Sequence, residues 1–341
     1  MSTYIAVDPE TFTFASQVDQ APIFVRKWLP PCGIRARATM QITHGIAEHS
    51  GRYDRFARFL AANGYVVYAL DLRGHGETAG PDNLGQAGAT AWDDMTADIK
   101  QLADIARADY PTLPLIAFGH SMGSALTQSH IQNHGDLLAG AILCGTMGAM
   151  PGLDDAGYDN AIEQLHALAT GAEARAPSQV LGALLVGFNA PFIAGVPHPT
   201  GSEWQTSDPE EIHRFQSDPL CGKPFSNAMS YSVLKGFHSL WLPENEARIP
   251  VDLPILLLAG TDDPVGAKTT TVQALITRYM RQGQLELEYR FYAGGRHEIL
   301  NEAEKDSVHR DVGHWLRQIL DRQARSSPAQ VRRPLSTAAS H

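Results

Sequence analysis

Short apolar runs alternate along this chain with segments whose apolar residues recur at helical spacing, and that alternation limits the folds open to it. "RYDRFARFLAANG" spaces Tyr53, Phe56, Phe59 and Leu60 at helical intervals and stops at Asn63-Gly64; "YVVYALDLRG" follows as a continuous apolar run. The first reads as an amphipathic helix and the second as a strand buried on both faces. The pair of signals returns in "AWDDMTADIKQLADIARADY" (helix), "LPLIAFG" (strand), "SALTQSHIQNHG" (helix, closed by Gly135) and "LAGAILCG" (strand). Consecutive strands linked through helices must run parallel, because each crossover returns the chain to the same end of the sheet, with helices covering both faces. The fold class is therefore α/β. Three earlier segments, "TFTFAS", "IFVRKWL" and "ARATMQITHG", carry β-branched or aromatic residues between Pro and Gly signals and read as strands joined by turns.

The rhythm breaks after about residue 150. From there to about 249 the text is rich in Gly and Pro, with an apolar patch "LGALLVGFNAPFIAG" and the aromatic residues Phe192, Trp204, Phe225 and Trp241. It resumes with the strand "LPILLLAGTDDPVG", a helix through "VQALITRYMRQG", the strand "LELEYRFYAGG" and a last helix carrying Val308, Val312, Trp315, Leu316 and Ile319. The pattern predicts one core built from residues 1–149 and 250–322, an insert at 150–249, and a flexible tail at 323–341, where Ser, Pro, Ala and Arg leave little to bury.

Composition removes several functions. A formal net charge of -10 disfavours a phosphate-backbone binder, because nucleic-acid affinity rests on Lys and Arg, and it offers no pull toward anionic lipid. Cys32, Cys144 and Cys221 are odd in number and lack CxxC spacing, so neither a disulfide framework nor a zinc site is indicated. No HxxEH or HExxH grouping appears, and no cofactor or metal is expected. The start "MSTYIAVDPETF" has no basic segment leading into an apolar one, and no stretch approaches the roughly 20 apolar residues of a membrane span. A cytoplasmic protein with reduced thiols is the expectation.

Chemistry concentrates where "LIAFGHSMGSALTQ" passes from strand to helix. Gly119 to Gly123 fits G-x-S-x-G in its required context, an apolar strand before and a helical pattern after. So sharp a turn strains the dihedrals of Ser121, and side chains at positions 119 and 123 would collide with the neighbouring strand and helix. The Ser121 hydroxyl is then held clear of the sheet beside a helix N-terminus, whose free N–H groups favour developing negative charge. A serine nucleophile needs a base and an orienting acid, and this arrangement supplies them in the order Ser, Asp or Glu, His. "LLLAGTDDPV" ends a strand with Asp262 and Asp263, and "FYAGGRHEILNE" ends the next with His297. Both loops lie beyond a strand's C-terminal end, where open parallel sheets place their sites. Asp263 is the favoured acid, with Asp262 as turn former or cap. An oxyanion hole would take the amide of Met122 and one from "ITHGIAEHS", where His44-Gly45 lets the amide of Ile46 turn inward. His44, His49 and His75 are read as loop-packing residues.

Together, "HGIAEHSGRYDRFARFLAANGYVVYALDLRGHGET", "GHSMGS", "SDPLCGKPF", "GTDDPV" and "GGRHEILNE" resemble the α/β-hydrolase family of monoacylglycerol lipases and lysophospholipase-like bacterial hydrolases, with serine aminopeptidase-type relatives. The similarity runs from about residue 35 to about 320. The resemblance implies an α/β-hydrolase fold, Ser121 as nucleophile, Asp263 as acid, His297 as base, the amides of Ile46 and Met122 as oxyanion hole, and an insert that forms a lid over an acyl-binding pocket. It also implies a small ester carrying an acyl chain as substrate, and it leaves peripheral lipid contact through the lid open. Where relatives usually read HGxGEHS and GHSMGG, this chain has Ala47 and Ser124. An amide or peptide, or a small ester or polyester, on the same triad stays open as a substrate, as does a catalytically silent ligand-binding member.

Overall fold

All the expected strands form in the computed structural model, which describes residues 8–149 and 155–326. β1 (Glu10–Ala15), β2 (Pro22–Trp28), β3 (Ala38–Thr43), β4 (Tyr65–Leu70), β5 (Leu115–His120), β6 (Gly140–Cys144), β7 (Ile255–Gly260) and β8 (Leu287–Tyr292) make one eight-stranded sheet in the order β1-β2-β4-β3-β5-β6-β7-β8. The β1–β2 and β2–β4 pairs are antiparallel; every other neighbouring pair is parallel. Only β1 and β2 are joined as a hairpin; β2 pairs next with β4 rather than with β3, and from β3 onward the connections are long enough to cross over.

Side-chain alternation sorts the core into two layers. Met40, Ile42, Val67, Ala69, Ile116 and Phe118 point to one face, covered by the helices Asp54–Ala62 and Lys305–Ser326 through Phe56, Leu60, Val312, Trp315 and Ile319. Val66, Tyr68, Leu70 and Leu115 point to the other, beneath Ala91–Asp109 and Met122–His134, while Leu143, Leu257 and Ala259 meet Thr270–Arg281. Because both faces are covered, β4 to β7 read as almost unbroken apolar runs, whereas β3 buries Thr39, Gln41 and Thr43 between its apolar residues. Each Leu or Ile so enclosed contributes about 1.5–3 kcal/mol.

Between β6 and β7 lie the helices Asp155–Thr170, Gln179–Asn189, Pro209–Ser217 and Asn227–Leu240, none of which interrupts the sheet order. Met229, Val233 and Leu240 of the last of these join the core layer of Ala91–Asp109. At the other end, the final helix runs past the expected core boundary at 322. The final helix continues to Ser326, because Gln323 Nε2 donates to the Ala139 carbonyl (2.8 Å) and ties that turn to the start of β6. The rest of the expected tail, 327–341, lies outside the described residues. No described helix is long and apolar enough to cross a membrane.

Candidate active site

Ser121 sits between the end of β5 and the first turn of Met122–His134 with φ +54° and ψ −124°. A side chain in that region costs on the order of 1–3 kcal/mol and persists only where its surroundings fix it. Here its N–H donates to the Cys144 carbonyl (3.0 Å) at the tip of β6, while its carbonyl accepts from the N–H of Ser124 (2.8 Å) and of Ala125 (3.1 Å). The flanking glycines are sterically required. A Cβ on Gly119 would overlap the Gly123 carbonyl and the Thr127 hydroxyl, and one on Gly123 would overlap the carbonyl oxygens of Thr43 and His44. Helix and sheet thus approach to within backbone contact.

Of the two aspartates after β7, Asp263 is the one that meets His297. It is fully buried, and its carboxylate accepts from His297 Nδ1 (3.0 and 3.1 Å) and from the Val265 N–H (2.9 Å). A carboxylate here can only accept, so the imidazole proton resides on Nδ1 and Nε2 is left with its lone pair. His297 Nε2 is buried with no hydrogen-bond partner among the described residues. Burial works against the imidazolium, but Asp263, with Glu298 and Glu48 behind it, outweighs burial and raises the His297 pKa above its ordinary value. The ring lies between His120, the residue before Ser121 (centroids 4.7 Å apart), and Trp204 from the insert (5.0 Å). Burial, and then the charge of His297, push the His120 pKa down to about 4, so His120 is neutral. Asp262 makes no hydrogen bond to His297; its backbone N–H donates to the Gly295 carbonyl (2.9 Å), which fixes the loop instead.

Ser121 opens into a cavity of about 760 Å³ together with Ile46 and Met122. Neither amide is engaged by a backbone acceptor among the described residues, so both are free to donate to an atom placed beside Ser121. The remaining wall is mostly apolar, with Ser230, His238 and Arg278 its polar members, and comes largely from the insert, including Leu181, Leu184, Leu185, Phe188 and Val233. His44, His49 and His75 stay out of this cavity. His44 accepts the Leu72 N–H through Nε2 (2.9 Å), donates through Nδ1 to the Gly45 carbonyl (2.8 Å) and packs edge-on against His75 (4.9 Å). Ala47 is held at φ +52°.

A buried charge network behind the site was missed by sequence reasoning. Glu48 accepts from the Gly45 N–H (2.6 Å), the Tyr53 hydroxyl (2.7 Å) and Arg52 (2.7 Å). Arg52 also forms a bidentate pair with Glu298 (2.7 and 2.7 Å), the neighbour of His297. The loop that presents Ile46 is thereby fastened to the loop that presents His297. The i,i+4 spacing of Glu48 and Arg52 is visible in the sequence, but a helical surface pair gives the same signal. His49, Asp218 and Cys221 bring one potential ligand atom each to within 4.8 Å of one another. They do not suit a cation: His49 Nδ1 accepts the Gly51 N–H (3.2 Å), so Nε2 carries the proton and donates it to Asp218 (2.9 Å). Burial also raises the Cys221 thiol well above its ordinary pKa, away from the thiolate a metal requires.

A sheet of this order, with a strained serine after β5 and a paired Asp–His beyond β7 and β8, defines an α/β-hydrolase. Residues 34–304 match the model of the serine aminopeptidase S33 family, and the chain belongs to that family. Among its relatives, a monoacylglycerol lipase of Mycolicibacterium smegmatis is 28% identical over 283 residues, covering 82% of this chain and 88% of the relative. The human monoglyceride lipase is 24% identical over 300 residues, 87% of each chain. The crystal structure of a thermostable carboxyl esterase from Bacillus coagulans, in complex with glycerol, superposes with a TM-score of 0.80 at 28% identity, covering 92% of this chain and all (100%) of that one.

Proposed function

We propose that this protein is a carboxylic ester hydrolase acting on acyl-chain esters, with Ser121 as nucleophile, His297 as general base and Asp263 as orienting acid. The observation that carries the reading is the contact of His297 Nδ1 with the buried Asp263 carboxylate, with Nε2 on the other side of the ring left without a partner among the described residues. Asp263 holds the proton on Nδ1 and leaves Nε2 buried, unpartnered and basic. His297 Nε2 takes the Ser121 proton as Oγ attacks the ester carbonyl, and the amides of Ile46 and Met122 receive the oxyanion. The imidazolium, favoured by Asp263, then gives its proton to the departing alcohol. Water, deprotonated by the same nitrogen, releases the acid from the acyl-enzyme.

The cavity supports an acyl chain over a peptide. An aminopeptidase must neutralise a substrate ammonium, yet no Asp or Glu lines the cavity at Ser121 among the described residues. Relatives described as monoacylglycerol lipases favour the same choice. We read residues 150–249 as a lid. Its helix Gln179–Asn189 carries no charged residue; Leu181 and Leu185 line the cavity, Val180 and Leu184 line it while staying half-exposed at its edge, and Val186 is exposed, a surface suited to peripheral lipid contact. The unpaired Cys32, Cys144 and Cys221 favour a reducing, cytoplasmic setting.

Fluorophosphonate labelling, with mass mapping of the modified peptide, tests the assignment. The adduct is expected on Ser121, and Ser121→Ala should lose both adduct and turnover of p-nitrophenyl esters while unfolding as the wild type does. A labelled residue elsewhere, or full turnover by the folded variant, would remove the assignment.

A further inference from the structure

β8 closes the sheet on one side. It pairs with β7 alone, and no strand among the described residues covers its outer edge. The carbonyls of Glu286 and Tyr292 accept the N–H groups of Ile255 (2.8 Å) and Thr261 (2.9 Å), so the even-numbered residues of this stretch turn their backbone groups toward β7. Leu287, Tyr289 and Phe291 therefore turn their N–H and C=O groups outward. The margin of the edge is apolar. Tyr289 is 50% exposed and Leu285 is 74% exposed; Val251, whose carbonyl accepts the Leu285 N–H (2.8 Å), is 49% exposed beside it. A row of open backbone groups flanked by exposed apolar side chains is a template for another strand.

We propose that this edge pairs with the same edge of a second copy of the chain, antiparallel about a two-fold axis at Tyr289. Charges on the strand select both the partner and the register. Outward-turned residues must lie opposite outward-turned residues for the ladder to form, which places the axis at one residue of β8. An axis at Glu288 sets two glutamates face to face, one at Arg290 sets two arginines face to face, and one at Leu287 sets Glu286 against Glu288. An axis at Phe291 carries Glu288 beyond the end of β8 and leaves its charge unmatched. Only the axis at Tyr289 brings Glu288 opposite Arg290 of the second copy on both sides, with Leu287 opposite Phe291. These charge pairs fall at non-hydrogen-bonded positions, where side chains stand closest and where like charges oppose pairing most. Each chain already supplies the outer members of the row: Arg290 binds Asp311 (2.6 Å), and Arg322 lies by Glu286 (3.0 Å) and Glu288 (4.0 Å). Charges of alternating sign thus continue across the axis. None of these residues lines the cavity at Ser121, so the contact is independent of the ester-hydrolase reading.

Sedimentation equilibrium of the full chain, with two charge reversals taken singly and mixed, tests the pairing. The wild type should sediment as a dimer. Arg290→Glu sets acidic side chains against each other across the axis, and Glu288→Arg sets basic ones; each should raise the dimer Kd on the order of tenfold or more. An equimolar mixture of the two variants restores opposite charges at both positions of a mixed dimer, so association should return toward the wild-type value. The chain carrying both substitutions restores the same pairs and keeps the test informative if one single variant folds poorly. A wild type that stays monomeric, or a dimer indifferent to both reversals, would overturn the proposal. So would a mixture and a double variant that associate no more tightly than the single variants.

Discussion

Removing the cation from the buried network offers the most demanding check on how the site is held. Arg52→Met keeps much of the side-chain volume and leaves Glu48 and Glu298 facing each other without a counter-charge. The side chains of Arg52, Glu48 and Glu298 are only 9%, 4% and 7% exposed, so water cannot screen the two carboxylates that remain. Breaking a buried pair from one side costs about 3–5 kcal/mol. The pH dependence distinguishes this cause from lost packing. In the wild type, burial opposes ionisation of both carboxylates, but Arg52 outweighs it and holds each pKa below the usual range. Their contribution is therefore present above the unfolded value near about 4.3, and it is lost only as pH falls through the lowered values. Without Arg52 the folded-state pKa values rise above the unfolded value, and the sign reverses. The penalty is then full at neutral pH and shrinks as acid protonates the pair. Urea unfolding at about pH 7 and about pH 5 should show a destabilisation of about 3–5 kcal/mol that becomes smaller at the lower pH. A difference under about 1 kcal/mol at neutral pH, or one that does not depend on pH, would refute the argument.

Asp263→Asn removes the group that fixes the proton on His297 Nδ1, and kcat should drop on the order of 10⁴-fold in steady-state ester hydrolysis while the fold is retained. Because the catalytic base must be neutral and its pKa is raised, the acid limb of kcat/KM in the wild type should fall above 6.5, the ordinary histidine value. An acid limb below that value would contradict the Asp263–His297 pairing. A series of esters of one alcohol should gain about fourfold in kcat/KM per added methylene, equivalent to about 0.8 kcal/mol, until the apolar cavity is filled. A flat series would count against an acyl slot.

The sequence was most informative where local rules and the tertiary outcome coincide. β4 to β7 are covered on both faces, so burial left them almost no polar positions and their apolar runs stood out, whereas β3 hides Thr39, Gln41 and Thr43 among its apolar residues. Gly119 and Gly123 could be read because steric exclusion at the turn tolerates no side chain. The order Ser121, Asp263, His297 followed from which strands end at the same edge of the sheet. Two neighbouring aspartates were harder. Asp262 and Asp263 satisfy the same turn preferences, and only the backbone path after β7 decides which carboxylate points at His297. How far the last helix runs was not legible for a similar reason, since Gln323 finds its acceptor on Ala139, far away in the chain.

What the chain determined by itself was periodicity and local strain: a parallel sheet, a serine forced into a left-handed turn, and a histidine loop in the right order after it. Only the folded structure decided which distant groups became buried together. Glu298 looks like any loop carboxylate until Arg52 encloses it. Burial of a charge depends on neighbours from other parts of the chain, and neither composition nor spacing carries that information.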